Sequence, residues 1–568
     1  MRVTFLGHAG LFIETRHASI LADPWLSGPA YHGSWWPFPD NDAVDREAIR
    51  RPTYLFISHL HQDHLDEAFL RDHVSKEAVV MLPDYPLGAL ERELRRLGFE
   101  RFVPTRSWEP VELDGLRLTI PTLVSPADGP IGDSGLIVES DGVKLFDQND
   151  SRPVDGLADL GHVDVHFLQF SGAIGYPFLQ GYPEEMRVAL GRRKRLVSME
   201  RARRYVDAVR ADRVFPSSGP PCFLDPTLSW LNDLGEDDGN VFPDQWRFFE
   251  YMAGHDEVRP EVILPGSVVE VTRRGSRVTH PMTDDEMREL FSVEGKRRYL
   301  AAYRERKRSV IEGIDGSLLR GDVDLVQELR EWWEPLLAGA DLMCAGINGR
   351  MTMDFAETPG EGLVVDFHRR TVEPWWGAGS DEDVCHFTFP RALVVDCVLR
   401  RSENWSSDLL LSFRFLARER GPYNKYLFAF LSALSHERIA YVEDFYRRDA
   451  LARPDPHRSF FQMDLRARSH LVQQRCPHAA ADLERFLEYD QDTDTLTCTL
   501  HGWQWRSDGT CLTAEGHPLY VRPVEEVEAA AHVGSTAEVR RWCGDCAFRV
   551  RQPALEEVES VGAGARPA

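Results

Sequence analysis

Short apolar runs alternate with Gly, Pro, Asn and Asp through the first 235 or so residues: 3–6, 11–13, 20–21, 54–57, 116–120, 136–138 and 143–146. Such runs, bounded by turn residues, read as strands. Residues 66–72, 86–97 and 184–210 space their apolar positions at helical intervals instead, which predicts sheets covered by helices. Residues 233–239 form an acidic, glycine-bearing break, and residues 283–312 read as helix. There Lys296, Arg297, Arg298, Arg304, Arg306, Lys307 and Arg308 interleave with Glu as a solvated face. Residues 316–450 pattern as an α+β unit, with a helix at Trp332-Trp333, strand-like runs at 342–347, 363–367 and 393–399, and helices over 408–418 and 423–434. Residues 451–550 are strand-rich and punctuated by glycine.

The pattern divides the chain into an N-terminal domain (1–275), a helical linker (276–315), a middle module (316–450), a C-terminal β domain (451–550) and a disordered tail (551–568). A length of 568 residues supports that division, since one hydrophobic core seldom organises so many. With 66 Lys plus Arg against 91 Asp plus Glu, the net charge of −25 argues against nucleic acid as a partner. Neither a secretion-type apolar leader nor a run long enough to span a membrane is present in the sequence, so a cytoplasmic protein is expected. Nine cysteines in such a chain suggest metal ligands or buried thiols rather than a disulfide framework.

Two of them belong to the most specific pattern in the chain. Cys476-Pro-His478 and Cys498-Thr-Leu-His501 each offer one thiolate and one imidazole, the set required by a [2Fe-2S] centre in which histidines replace two cysteines on one iron. Structural zinc is the chemical alternative, though Cys-x-His makes an awkward zinc knuckle. The two loops, continuing through Asp482-Leu483 and Gly502-Trp503-Gln-Trp505, resemble the Rieske family over some 75 residues. They lack the additional cysteine that respiratory Rieske proteins carry in each loop, so the likeness is to the ferredoxin and oxygenase type. Such a cluster passes single electrons and performs no substrate chemistry itself. Cys543 and Cys546 form a separate Cys-x-x-Cys without a second pair.

A second concentration of ligands follows the apolar run 54–57: Ser58-His59-Leu60-His61-Gln62-Asp63-His64. A strand delivering three imidazoles and a carboxylate within six residues points to metal binding. This motif, with Gly7-His8-Ala-Gly10 and Ala22-Asp23-Pro-Trp25, resembles the metallo-β-lactamase fold, which implies an αββα sandwich for the first 275 residues. In that fold Asn149-Asp150-Ser151 corresponds to the bridging carboxylate. The middle and final histidine positions fall instead on Gly132-Asp133-Ser134 and on residues 216–222, so two imidazoles of a binuclear zinc site are missing. Two or three histidines with a carboxylate suit non-haem iron, with zinc as the alternative. His59, His61 and Asp150 are the first-choice ligands, with Asp63, His64 and Asp133 in reserve; His162 and His166 read as structural.

Phe170-Ser-Gly172-Ala-Ile-Gly175-Tyr-Pro177, the Arg-rich helix through Arg192-Arg-Lys-Arg195 and Arg201, the turn at 216–222 and Pro265-Gly266 resemble CMP-N-acetylneuraminic acid hydroxylases. That family joins the same fold to a Rieske domain, in the opposite order, and hydroxylates an N-acyl group on a nucleotide sugar. Middle-module order resembles sterol-carrier-like folds. The resemblances imply a Rieske-coupled non-haem iron monooxygenase acting on a small-molecule substrate and O2. No flavin or nicotinamide fingerprint is present in the sequence, so an external ferredoxin, cytochrome or reductase supplies electrons, and the cluster of one subunit could serve another in a homo-oligomer. A hydrolase with a redox-sensing cluster and a non-catalytic electron carrier are the alternatives.

Overall fold

The structure is a computed structural model. It describes residues 1–124, 132–153, 156–235, 239–254, 258, 260–377, 380, 382–420, 424–451, 460–477, 483–499, 502–513 and 517–525. Residues 1–420 and 424–447 pack as one compact unit, and the described residues from 448 onward belong to a second.

Two sheets face each other in the N-terminal part of the first unit. The larger has eight strands in the order Gly275–Thr279, Val268–Thr272, Arg2–Gly7, Gly10–Glu14, Ser19–Ala22, Tyr54–Phe56, Val79–Leu82 and Phe102–Pro104. The other has six: Arg213–Ser217, Val165–Gln169, Val143–Asn149, Leu136–Ser140, Leu116–Thr119 and Val111–Leu113. Period-two alternation assigns each side chain to a layer. Leu11 and Ile13 enter the core between the sheets with Phe5, Phe56, Val138, Leu145 and Phe167, whereas Phe12 and Leu55 face the outer layer containing Phe69, Leu70, Leu90 and Leu94. Those last four lie on the helices Glu67–Asp72 and Ala89–Arg96, capped by Asp66 in the first case. The result is the αββα sandwich expected from the sequence.

Ser19–Ala22, Tyr54–Phe56 and Val79–Leu82 are parallel neighbours, as are Val143–Asn149, Val165–Gln169 and Arg213–Ser217. Loops leaving the carboxyl ends of parallel strands are where open α/β sheets place their chemistry. Asp23, the 58–64 loop, Asp150, Ser171 and Ser218 all follow such ends.

Helices Asp284–Phe291 and Val293–Ser317 cover the charged segment. Their Arg residues form ion pairs along the surface, Arg297 with Glu294 and Arg308 with Glu305, while Arg306 and Lys307 reach Asp40 and Asp42 of the N-terminal part. This agrees with a solvated face except at Lys296, which is buried and paired with Asp244 at 3.3 Å because it lies on the side of the helix packed against the N-terminal part.

The middle module is a five-stranded sheet, ordered Thr371–Trp375, Thr358–Asp366, Arg350–Phe355, Asp383–Phe389 and Leu416–Glu419, with helices packed against it. Three sequence expectations are corrected here. Residues 342–347 and 393–399 lie in the helices Asp341–Ile347 and Arg391–Leu399 rather than in strands. Both are apolar on nearly every side because their surroundings bury Met343, Cys344, Ile347, Val394, Val395 and Val398, which erases the helical period. Residues 408–418 are not one helix: a turn at Trp405–Asp408 and a 3-10 turn at Leu410–Ser412 end at Phe413, whose φ of 56° stops propagation before the strand Leu416–Glu419. That strand joins the two modules, since Gly181 N donates to Ala417 O and Ala417 N to Leu179 O.

Among the described residues the second unit holds two three-stranded sheets, Phe460–Leu465 with Arg468–Gln473 and Val521–Pro523, and Leu487–Asp490 with Thr495–Cys498 and Gln504–Arg506. The predicted disordered tail lies outside the described residues, as do Cys543 and Cys546.

Candidate metal centre

Asp23 organises the centre. It follows the strand Ser19–Ala22 with φ of 39°, is fully buried, and accepts hydrogen bonds from Ser58 N (2.7 Å), Ser58 Oγ (2.6 Å) and Asn149 Nδ2. Its Oδ2 also lies 2.9 Å from His64 Nδ1, which directs His64 Nε2 away from it and into the centre. A carboxylate behind an imidazole fixes both its tautomer and its orientation. Left-handed backbone recurs at His8 (φ 53°), Asn149 (φ 58°) and Ser218 (φ 53°), and the loops lock together as Ser218 N donates to His8 O and Ser218 Oγ to Asn149 Oδ1.

Around His64 the predicted ligands converge. His64 Nε2 lies 3.6 Å from Asp63 Oδ2 and 3.7 Å from Asp150 Oδ2. His59 Nε2 lies 2.7 Å from His61 Nδ1, and His59 Nδ1 3.6 Å from Asp133 Oδ1. Of the six residues expected from the sequence, His59, Asp63, His64 and Asp150 have ligand atoms gathered around His64, while His61 and Asp133 adjoin His59. Elsewhere, His166 is buried and bonded to Gln148 Oε1 (2.9 Å), and His162 is exposed near Asp164 and Asp212.

His8, read from the sequence only as part of a fold motif, is also there: its Nε2 sits 2.8 Å from Asp63 Oδ2. The available signal was Gly7-His8 at a strand end, but more than 50 residues separate it from the His-rich loop. Tyr31 was missed as well; its hydroxyl donates to Asp63 Oδ1 at 2.5 Å. Ligand atoms of His8, Asp63 and His64 all lie within 4.8 Å of one another, and so do those of His59, His64 and Asp150.

These residues fit a cation. His64 Nε2 and Asp150 Oδ1 are buried without a hydrogen-bond partner, a costly state for polar atoms that a metal would relieve. Burial pushes His64 down, yet Asp63, Asp150 and Asp23 outweigh it and hold the imidazole well above its usual range. Burial would raise Asp63, but His64 and His8 hold it well below the carboxylate range. Burial, His64 and His61 together keep His59 well below, as the neutral imidazole a metal requires. A carboxylate held ionised beside a buried positive charge, as Asp63 is, provides the electrostatic setting of a divalent ion.

In the second unit, Cys476 follows the strand Arg468–Gln473 and Cys498 ends Thr495–Cys498; both are buried. Cys498 N donates to Trp503 O, and Gly502 N to Cys498 O, shaping the second loop. His478 and His501 lie outside the described residues.

Residues 2–216 match the beta-lactamase superfamily domain and residues 457–523 the Rieske [2Fe-2S] domain, so fold and motifs together define a metallo-β-lactamase-fold protein that carries a Rieske cluster domain. Between them, residues 325–448 match the Rv3818-like, SCP2-like domain. The chain is 41% identical over 534 residues to the Rieske 2Fe-2S iron-sulfur protein Rv3818 of Mycobacterium tuberculosis, covering 91% of this chain and 99% of that protein, and it belongs to that family. It is also 33% identical over 189 residues to the cytidine monophosphate-N-acetylneuraminic acid hydroxylase of Danio rerio, covering 31% of this chain and 30% of the hydroxylase. Among solved structures, the diiron β-hydroxylase CmlA of Streptomyces venezuelae aligns with a TM-score of 0.33 at 20% identity, over 49% of this chain and 54% of that one. Among the described residues no helix is long and apolar enough to cross a membrane.

Proposed function

We propose that this chain is a Rieske-coupled non-haem iron monooxygenase that hydroxylates a small-molecule substrate, with His59, His61 and Asp150 as the principal iron ligands and Asp63, His64, Asp133 and His8 completing the set. One observation carries the reading: a buried centre rich in carboxylate and imidazole, with unpartnered ligand atoms at His64 and Asp150, shares a chain with a one-electron carrier domain. Mixed His and carboxylate donors suit iron in oxygen chemistry. The partial likeness to a hydroxylase of an N-acyl nucleotide sugar supports the reaction type.

Bound at this centre, iron would supply the O2 chemistry, fed one electron at a time through the cluster. The balance is one O2, two electrons and two protons per turnover: one oxygen atom enters a C–H or N–H bond of the substrate, and the other leaves as water. Those electrons come from a separate ferredoxin, cytochrome or reductase.

The chain's own residues have defined tasks. Asp23 fixes the His64 tautomer and, through Ser58, the start of the His-rich loop. Tyr31 holds one Asp63 oxygen and leaves the other toward His64. Asn149, pinned by Ser218, sets the backbone that presents Asp150.

Metal analysis of the purified full chain tests the reading. Iron in excess of the cluster's two atoms, lost when His59 and Asp150 are replaced, is expected. Zinc in the N-terminal centre with only the cluster's irons would favour the hydrolase. Cluster iron with no further metal would leave an electron carrier and overturn the proposal.

A further inference from the structure

Beside the centre lies a group of cations that the metal chemistry does not use. The strand Val165–Gln169 runs out into Ser171-Gly172, and three positive side chains converge on that exit. Arg152, two residues beyond Asp150, donates to Gln169 Oε1 at 3.4 Å, while its buried Nε has no hydrogen-bond partner. Arg201 is 6% exposed and donates to Ser171 O at 3.5 Å. Lys194 lies across Gly172: a Cβ there would meet Lys194 Cε at 3.1 Å and Nζ at 3.9 Å, which places the ammonium against this turn.

Among the described residues no carboxylate pairs with Lys194 or Arg152, and the Lys194 ammonium lies 5.5 Å from the centre of the Tyr176 ring. Glu200, on the same helix, is taken by Arg203, Arg204 and Tyr251. Burial, reinforced by the charges of Arg152 and Arg201, pushes Lys194 down to about 7. A part-buried lysine held among like charges is a cost to the fold unless an anion joins it.

These cations are tied to the metal-centre loops by packing as well as by sequence. The 150–153 turn rests on the helix Glu184–Val209, where Tyr205 Oη donates to Pro153 O at 3.2 Å. A Cβ on Gly219 would meet Ser171 Oγ at 2.9 Å, and Ser218 beside it holds Asn149. Arg152 thus shares a turn with Asp150, and that turn rests on the helix that carries Lys194 and Arg201.

We infer that Arg152 and Lys194, backed by Arg201, form a subsite for an oxyanion group, phosphoryl or carboxylate, that anchors the substrate next to the metal centre. This rests on the centre being the place where substrate reacts, but binding can be read without turnover. Calorimetric titration of the full metal-loaded chain with inorganic phosphate, and separately with acetate, is the experiment. At least one anion is expected to bind, and Lys194→Met and Arg152→Gln should each weaken it about tenfold, the effect of losing one charge-assisted hydrogen bond. Metal content and the reduced cluster's EPR signal should not change. Lys194→Met removes an uncompensated charge, so its melting temperature should not fall below that of the parent, which separates lost binding from lost folding. Binding of phosphate alone assigns a phosphoryl group and binding of acetate alone a carboxylate. Failure of both anions to bind, or affinity unchanged in both variants because the metal itself holds the anion, overturns the subsite. Oxyanion binding that depends on Lys194 in a chain without iron beyond its cluster would overturn the oxygenase reading alone.

Discussion

Gln62 Nε2 donates to Asp408 Oδ1 at 3.2 Å, so a carboxylate of the middle module touches the loop that carries the predicted metal ligands. The other end of the same amide accepts Tyr31 N at 2.7 Å, and Tyr31 in turn donates to Asp63. A chain of hydrogen bonds therefore runs from the middle module to a candidate ligand. Gln62→Leu should lower metal affinity in the N-terminal centre by about tenfold, the lower end of the effect of losing an outer partner, as measured by competition with a chelator. Unchanged affinity would mean that the chain only joins the modules.

Tyr31→Phe tests the last link directly. The variant leaves Asp63 Oδ1 without its donor. It should lose roughly 1–3 kcal/mol of stability and ten- to a hundredfold in metal affinity. Loss of stability alone, with affinity retained, would confine Tyr31 to packing.

Asp150→Ala should abolish hydroxylation and reduce metal bound in the N-terminal centre while leaving the EPR signal of the reduced cluster intact. Normal, coupled turnover in this variant would exclude Asp150 as a ligand.

For the cluster, Cys498→Ala should abolish the [2Fe-2S] signal and turnover with the natural donor, with metal still bound at His59 and His64. Continued turnover would break the assignment of the cluster as relay.

Acid stability offers a check that involves no metal. Burial pushes His166, stacked on Phe146 and bonded to Gln148, down to about 3 from an ordinary value of 6.5. Between those values the unfolded chain binds a proton that the folded one refuses, so its contribution is present above pH 6.5 and lost as pH falls toward 3. The slope is on the order of 1 kcal/mol per pH unit. His166→Gln should flatten the fall in urea midpoint between pH 6.5 and 4.5; an unchanged slope would show that His166 does not control it.

Much of the candidate site was legible because its candidate ligands are dense in sequence. Three histidines and an aspartate within the 59–64 loop need no tertiary information to be read as metal ligands, and Asp150 could be aligned with a known fold. His8 and Tyr31 reach the site only because distant loops meet at one edge of two sheets, and Asp408 reaches Gln62 only because the middle module packs there; residue spacing holds no trace of either. The strands 3–6, 11–13 and 143–146 were legible since buried strands read as short apolar runs bounded by turns. The same appearance misled at 342–347 and 393–399, where helices buried over most of their length produced strand-like runs.

Left-handed backbone at His8, Asp23, Asn149 and Ser218 has a consequence for how the protein obtains its metal. Each such residue costs on the order of 1 kcal/mol or more, sustained by the sheets behind it, so the donor cage exists before any ion arrives. A cage set in advance cannot reshape itself to reject a competitor, and by intrinsic affinity zinc outbids ferrous iron for nitrogen and oxygen donors. Correct metallation then depends on which ion the cell offers while the chain folds, and mismetallation should be the characteristic failure when the protein is overproduced in zinc-rich medium.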